Sequence, residues 1–315
     1  MNIGLDIMGG DHAPDATLDG VILAREILHD TDHLVLFGDK ELIKTKLKDK
    51  NVNPDEFTII DAPDVIGMSE KPIKAFTQKP KSSIAVGFHF LKEGKIDAFA
   101  SAGNSGAMVV GSMYSTEMIE GVLRPCTAVV IPKENGGNSF LLDVGTNPDP
   151  KPEMMVQFGI LGSYFAKYVY KLENPRVGLL NIGEEEEKGN ILSQAAHKLM
   201  KESPNLNFVG NVEGRDILLN SADVVVTDGF TGNVLLKQLE SLYHLLKRRN
   251  LYDDFVERMN YENFGGTPIL GIKSTVIVGH GISNDNAIKN MILLTKNVHE
   301  AKLSDKIRGE LQKHS

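Results

Sequence analysis

MNIGLDIMGGDHAPDATLDG (residues 1–20) reads as a strand, a glycine-softened turn and the start of a helix. Residues 2–7 suit a buried strand, Gly9 and Gly10 interrupt it, and Pro14 opens an amphipathic stretch. The same grammar returns in FASAGNSGAM (99–108), LLDVGTNPDPKP (141–152), VVVTDGFTGN (224–233) and VIVGHGISN (276–284). In each, an apolar run ends in glycine mixed with Ser, Thr, Asn or Asp, and a helical pattern follows.

Further apolar runs at 33–38, 57–61, 176–183 and 207–210 alternate with helical periodicity at about 14–29, 40–49, 81–93, 105–118, 151–171, 189–202, 231–248 and 284–303. Such alternation builds βαβ units and a mainly parallel sheet with helices on both faces. The expected fold class is therefore α/β, a three-layer α/β/α sandwich. CTAVVIP (126–132) and SFLLDVG (139–145) break the alternation, because PKENGGN (132–138) reads as a hairpin turn and adds an antiparallel element. No Pro- or Gly-rich linker divides the chain. Residues 1–315 are expected to act as one catalytic unit, either undivided or as two lobes around a central cleft.

Composition narrows the function. A net charge of −8 argues against a general nucleic-acid binder, so an anionic partner must meet a local basic group. One cysteine, Cys126, excludes an intrachain disulfide framework and fits a reducing compartment. A strand at Asn2 leaves no room for a secretory signal, and no apolar run is long enough to span a bilayer. A cytoplasmic location is expected.

Loops at the carboxyl ends of parallel strands are where α/β sheets bind ligands. Glycine admits a ligand to the backbone, and a helix start offers unpaired N–H groups to an anion. Ser, Thr and Asn are also ordinary helix caps, which explains any one loop taken alone. Five such loops together favour an anion site. The dinucleotide, P-loop and serine-hydrolase signatures fail in turn. GHGISN (279–284) lacks the last glycine, GEEEEKGN (183–190) crowds glutamates where phosphates would lie, and GNSG (103–106) is one residue short of a nucleophile elbow. HDTDH (29–33) falls at the other end of the sheet and is expected on the surface, and no metal is expected.

The words DIMGGDHAP (6–14), SAGNSGA (101–107), EGVLRPC (120–126), LLDVGTNPDPKPE (141–153), RVGLLNIGEEEEKGN (176–190), GNVEGRDIL (210–218), ADVVVTDGFTGNVLLK (222–237) and FGGTPILGIKSTVIVGHGISN (264–284) run nearly the whole length of the chain. In them the sequence resembles the bacterial PlsX family of phosphate acyltransferases. The resemblance implies transfer of a fatty acyl group from acyl carrier protein to inorganic phosphate, giving acyl phosphate for phospholipid synthesis. It also implies a fold like the phosphotransacetylases and the isocitrate/isopropylmalate dehydrogenases, a homodimer, and no cofactor. Two departures stand out. His12 follows GGD where the family accepts other residues, which argues against a catalytic role. The stretch between residues 234 and 263 is shorter than the family's apolar helical segment, so peripheral contact with the membrane, or with a membrane acyltransferase, is left open.

Attack of phosphate on a thioester needs an oriented phosphate, a stabilised oxyanion and a leaving thiolate. Candidate catalytic residues are Lys188, Asp228, Asn233 and His280. Lys188 would stabilise charge, its alternative being a solvated lysine paired with Glu184 or Glu185. Asp228 would orient Lys188 or accept a proton, or simply form a turn. Asn233 would donate to the oxyanion, and His280 would face the site between two glycines. Gly9, Gly10, Asp11, Ser101, Gly103, Asn104, Ser105, Arg124, Gly229, Thr231 and Gly232 are candidate phosphate- and substrate-binding residues, with a buried ion pair the alternative for Arg124. Glu184–Glu187 read as the first turn of a helix, and Cys126 as a buried small hydrophobe. A coenzyme-A-dependent phosphotransacetylase, or a carrier-binding protein without catalysis, are the competing readings.

Overall fold

Apolar runs become strands in the computed structural model, which describes residues 1–251 and 253–313. The first stretch contains β1 (Asn2–Asp6), α1 (Asp15–Arg25), β2 (His33–Gly38), α2 (Lys40–Asp49), β3 (Thr58–Asp61), α3 (Pro72–Gln78), α4 (Ser83–Lys92), β4 (Ala98–Ser101) and α5 (Ser105–Ser115). There follow β5 (Cys126–Thr127), β6 (Val129–Pro132), β7 (Asn138–Leu142), α6 (Pro152–Tyr168), β8 (Arg176–Asn181), α7 (Ile191–Glu202), β9 (Asn207–Glu213), β10 (Val224–Val226), α8 (Gly229–Arg248) and α9 (Asp254–Arg258). The chain ends with β11 (Thr267–Leu270), β12 (Thr275–Val278), α10 (Asp285–Glu300) and α11 (Leu303–Lys313). These elements form two units, Met1–Met118 with Tyr261–Lys302, and Ile119–Asn260 with Leu303–Ser315.

In the first unit the strands run β3-β2-β1-β4-β12-β11, parallel except for the antiparallel β11–β12 pair. Alternation along β4 sends Phe99 to one face, where it meets Phe37 and the α4 residue Phe88 edge-on at centroid distances of 5.8 and 5.2 Å. Gly87 and Gly111 let α4 and α5 close on Phe99 and Phe88. α10 packs against β1, β4 and β12 and against α1, with Ile288 seated on Gly20.

The second unit has the order β6-β7-β10-β8-β9, again parallel but for β6–β7. The expected hairpin is there, turning on Gly136 (φ +96°) and Gly137 (φ +74°). Leu141 and Val225 point towards Leu235 and Leu239 of α8. Their neighbours Phe140, Leu142 and Val224 meet α6, which approaches closely through Gly162 and sets Phe165 edge-on to Phe140 at a centroid distance of 5.2 Å. Each sheet is thus mainly parallel and flanked by helices, the α/β class that the strand–helix alternation indicates.

Several boundaries differ from the periodicity. α1 stops at Arg25 rather than 29, and Asp32, expected on the surface, is buried and ion-paired to Lys296 at 2.9 Å. CTAVVIP divides into β5 and β6, while β11 went unread because Pro268 interrupts its apolar run. α7 begins at Ile191, capped by Asn190, so Glu184–Glu187 lie in the preceding loop and not in a first helical turn.

At the amino ends of β8 and β10, Asp223 accepts from Lys133 Nζ at 2.5 Å and from Arg176 Nε at 3.0 Å. Burial opposes its charge, but these two cations hold the carboxyl down at about 2. Because this native value lies below the usual one of 3.8, the pair stabilises the fold above that range and is lost as pH falls towards 2. Asp223→Ala leaves two partly buried cations unpaired. It is expected to cost about 3 kcal/mol in urea denaturation at neutral pH, and less as the acid limit is approached.

Candidate active site

Parallel pairing brings the carboxyl ends of β1, β4 and β12 to one level, since Leu5 pairs with Ala100 and Ser101 with Val278. Asp6, the last residue of β1, is buried and accepts from Ser101 Oγ at 2.6 Å and from the Met8 amide at 3.0 Å. Ser101 Oγ in turn accepts from Gly103 N–H at 2.9 Å. Burial is the main influence on Asp6 and raises its carboxyl above the usual range, against the hydrogen bonds that lower it. A Cβ on Gly9 would stand 2.7 Å from the Gly103 amide nitrogen and nearer still to Asp6, so glycine is required where these two turns cross. Gly10 adopts φ +112°, and the Asp11 amide donates to the Gly281 carbonyl at 2.7 Å.

Among the sequence candidates here, Asp11 and Ser105 are exposed, and Gly10 and His280 partly so. The His280 ring lies 4.9 Å from that of Tyr261. Ser101 and Asn104 are buried. Asn104 Oδ1 caps α5 through the Ala107 amide at 3.0 Å, while its Nδ2 donates to the carbonyls of Gly67, Met68 and Glu70. Both side chains are therefore engaged with the protein's own loops.

The second unit repeats the device. Asp143 follows β7 with no exposed surface. Its Oδ1 accepts from the Thr127 amide at 2.9 Å and lies 3.0 Å from the Thr127 hydroxyl, which also reaches the Val144 carbonyl at 2.6 Å; its Oδ2 accepts from the amide and Nδ2 of Asn147 at 2.5 and 3.0 Å. The neighbouring strand β10 delivers Asp228, which caps α8 by accepting from Thr231 N–H at 2.8 Å and Thr231 Oγ at 2.7 Å. Gly229 donates to the Asn147 carbonyl at 2.8 Å and accepts from Gly145 at 2.9 Å. Asn233 is exposed one turn into α8, and a Cβ on Gly145 would lie 3.7 Å from its Oδ1. Asp228, Gly229, Thr231, Gly232 and Asn233 thus lie together at the start of α8.

Lys188 projects from the loop after β8, the strand beside β10. That loop is pinned by side chains: Asn181 Nδ2 donates to the Lys188 carbonyl at 3.1 Å, Asn211 Nδ2 to Glu185 at 2.7 Å, and Gln194 Nε2 to Glu187 at 2.7 Å. Among the described residues no carboxylate pairs with the Lys188 ammonium. Glu184 faces Arg215 instead, and Glu186 pairs with Lys201. Arg124 is exposed before Pro125, and no ion pair holds it among the described residues. Cys126 is buried, and burial followed by the nearby Asp143 charge pushes its thiol far up, in keeping with a packing role. Glu184, Glu213 and Asp216 approach one another, but Arg215 pairs with both glutamates, and Asp216 accepts from the Glu213 amide at 3.2 Å.

Sequence reasoning passed over Asp6, Asp143, Thr127 and the loop-pinning Asn181, Asn211 and Gln194. A carboxylate directly after an apolar strand, as in GLDI and LLDV, was the available signal for the first two.

The family model described as "Fatty acid synthesis protein" matches residues 1–249. The phosphate acyltransferase of Bacillus pumilus is 40% identical over 335 residues, covering 100% of this chain and 99% of its own. That of Bacillus subtilis is 38% identical over 331 residues, covering 99% and 98%. Among solved structures, a phosphotransacetylase from Streptococcus pyogenes matches with TM-score 0.66 at 14% identity over 95% of this chain and 94% of that one, a likeness of fold. With identity of this level sustained from end to end, the chain belongs to the phosphate acyltransferase family.

Proposed function

We propose that the protein moves a fatty acyl group from the thioester of acyl carrier protein to inorganic phosphate. A phosphate oxygen attacks the thioester carbonyl, a C–O bond forms, the C–S bond breaks, and the carrier thiolate leaves and takes up a proton. The products are acyl phosphate and free carrier. The observation that carries this reading is Lys188, a cation with no carboxylate partner among the described residues, on a pinned loop at the end of the strand next to the glycine-packed start of α8.

In this reading Lys188 neutralises charge on the phosphate or the carbonyl oxyanion, and Asn233 donates to the same oxygen. Asp228 holds Thr231 and the first turn of α8, and its remaining lone pairs accept the phosphate proton. Gly229, Thr231 and Gly232 present the turn, and Arg124 clamps phosphate through its fork of donors. In the first unit Gly10, Asp11, Ser105 and His280 contact substrate, while Gly9, Ser101, Gly103 and Asn104 support them. The chain works as one catalytic unit in a cytoplasmic homodimer. Peripheral membrane contact would use the basic end of α8, Lys247 to Arg249. No helix among the described residues is long and apolar enough to cross a membrane.

Purified protein given long-chain acyl carrier protein and phosphate is expected to form acyl phosphate. Turnover of acetyl coenzyme A with none on the carrier would replace this reading with a phosphotransacetylase. Carrier binding without product would leave a binding protein.

A further inference from the structure

Three N–H donors converge on Asp143, the Thr127 hydroxyl is shared between it and the Val144 carbonyl, and no lysine or arginine pairs with it among the described residues. The partners of this buried carboxylate come from two segments, and one of them is bonded to a third. Thr127 belongs to β5, Asn147 closes the turn after β7, and through the Asn147 carbonyl the bond continues to Gly229 at the start of α8. Asn147 Nδ2 also donates to the Pro125 carbonyl at 2.9 Å, next to Arg124. Contact reinforces the bonding. A Cβ on Gly229 would stand 2.8 Å from both Asp143 Oδ2 and the Asn147 carbonyl, and one on Gly232 would press on the Asp143 carbonyl.

We propose that Asp143 is a positioning residue for phosphate: its carboxylate sets the Arg124–Thr127 stretch, the 143–147 turn and the first turn of α8 in the register that receives the anion. The role rests on the acyl-transfer reading above. A carboxylate suits it because both of its oxygens face N–H donors, and an amide could accept at only one of its two positions. Asp143→Asn keeps the shape and an acceptor for Thr127, but turns an N–H₂ towards the Asn147 donors. The Asn147 turn then loosens, and with it the start of α8. Phosphate binding suffers before the acyl carrier does.

The test is steady-state kinetics of the full-length wild type, Asp143→Asn and Asn147→Ala, varying phosphate and acyl carrier protein separately. Asp143→Asn is expected to raise the phosphate KM about tenfold, with the carrier KM changed less than about twofold, from two donors left unpaired. Asn147→Ala, which spares the carboxylate and removes one donor, should raise the phosphate KM about threefold. A merely structural role would lower the active fraction and leave both KM values unchanged, and that result overturns the proposal. Should Asp143→Asn fail to fold, an unchanged phosphate KM in Asn147→Ala overturns it equally. Wild-type protein that forms no acyl phosphate removes the acyl-transfer reading and this role with it. An active wild type with unmoved phosphate KM removes this role alone.

Discussion

Lys188→Ala is expected to slow acyl-phosphate formation about 100-fold at saturating substrate, the scale on which one charge-stabilising donor acts in a transition state. Folding should barely register the change. Lys188 is exposed and has no carboxylate partner among the described residues, and the bonds that pin its loop run through backbone carbonyls that alanine retains. Surface substitutions of this kind fall within about 0.5 kcal/mol. Initial rates beside a urea unfolding curve give both numbers. Lys188→Arg keeps the charge but displaces its centre, and should recover part of the rate. A rate for Lys188→Ala within about threefold of wild type would show that the cation acts on neither phosphate nor oxyanion.

Asp6→Ala is expected to cost stability. It removes the acceptor for the Ser101 hydroxyl and the Met8 and Gly9 amides beneath the crossing of the first unit's two glycine turns. Each orphaned donor costs about 1 kcal/mol or more, so a loss of about 3 kcal/mol is expected in urea denaturation at pH 5. Asp6→Asn separates charge from shape. Burial is the main cause that raises the native carboxyl above its ordinary 3.8, so the folded chain holds this proton more tightly than the unfolded chain. The contribution of Asp6 is therefore greatest below 3.8 and declines as pH rises through the native value. Wild type should lose ground to Asp6→Asn over that interval. A constant difference between the two across the same pH series would show that the carboxyl is not shifted.

Much of the fold is legible because apolar period and glycine position are local signals. Strand ends at Asp6, Ser101, Leu142, Val226 and Val278 sit where the quoted loops begin, and PKENGGN turns as a hairpin because its two glycines take positive φ. β11 escaped because Pro268 hides a strand whose partner is β12. The Glu184–Glu187 loop looked helical because acids favour a helix start, yet Asn190 is the residue that caps α7.

The site divides along the same line. Sequence alone determined which residues stand at strand ends, since order along the chain and the parallel βαβ rule place the loops of each sheet at its own carboxyl rim. It could not fix which polar groups face outwards. Ser101 turns inwards to an aspartate 95 positions away, Asn104 is spent on the carbonyls of Gly67, Met68 and Glu70, and the Lys188 ammonium pairs with no carboxylate among the described residues despite four neighbouring glutamates. Hydrogen-bond partners distant in sequence decide whether a polar side chain supports a loop or meets a ligand, and those partners exist only once the strands have paired.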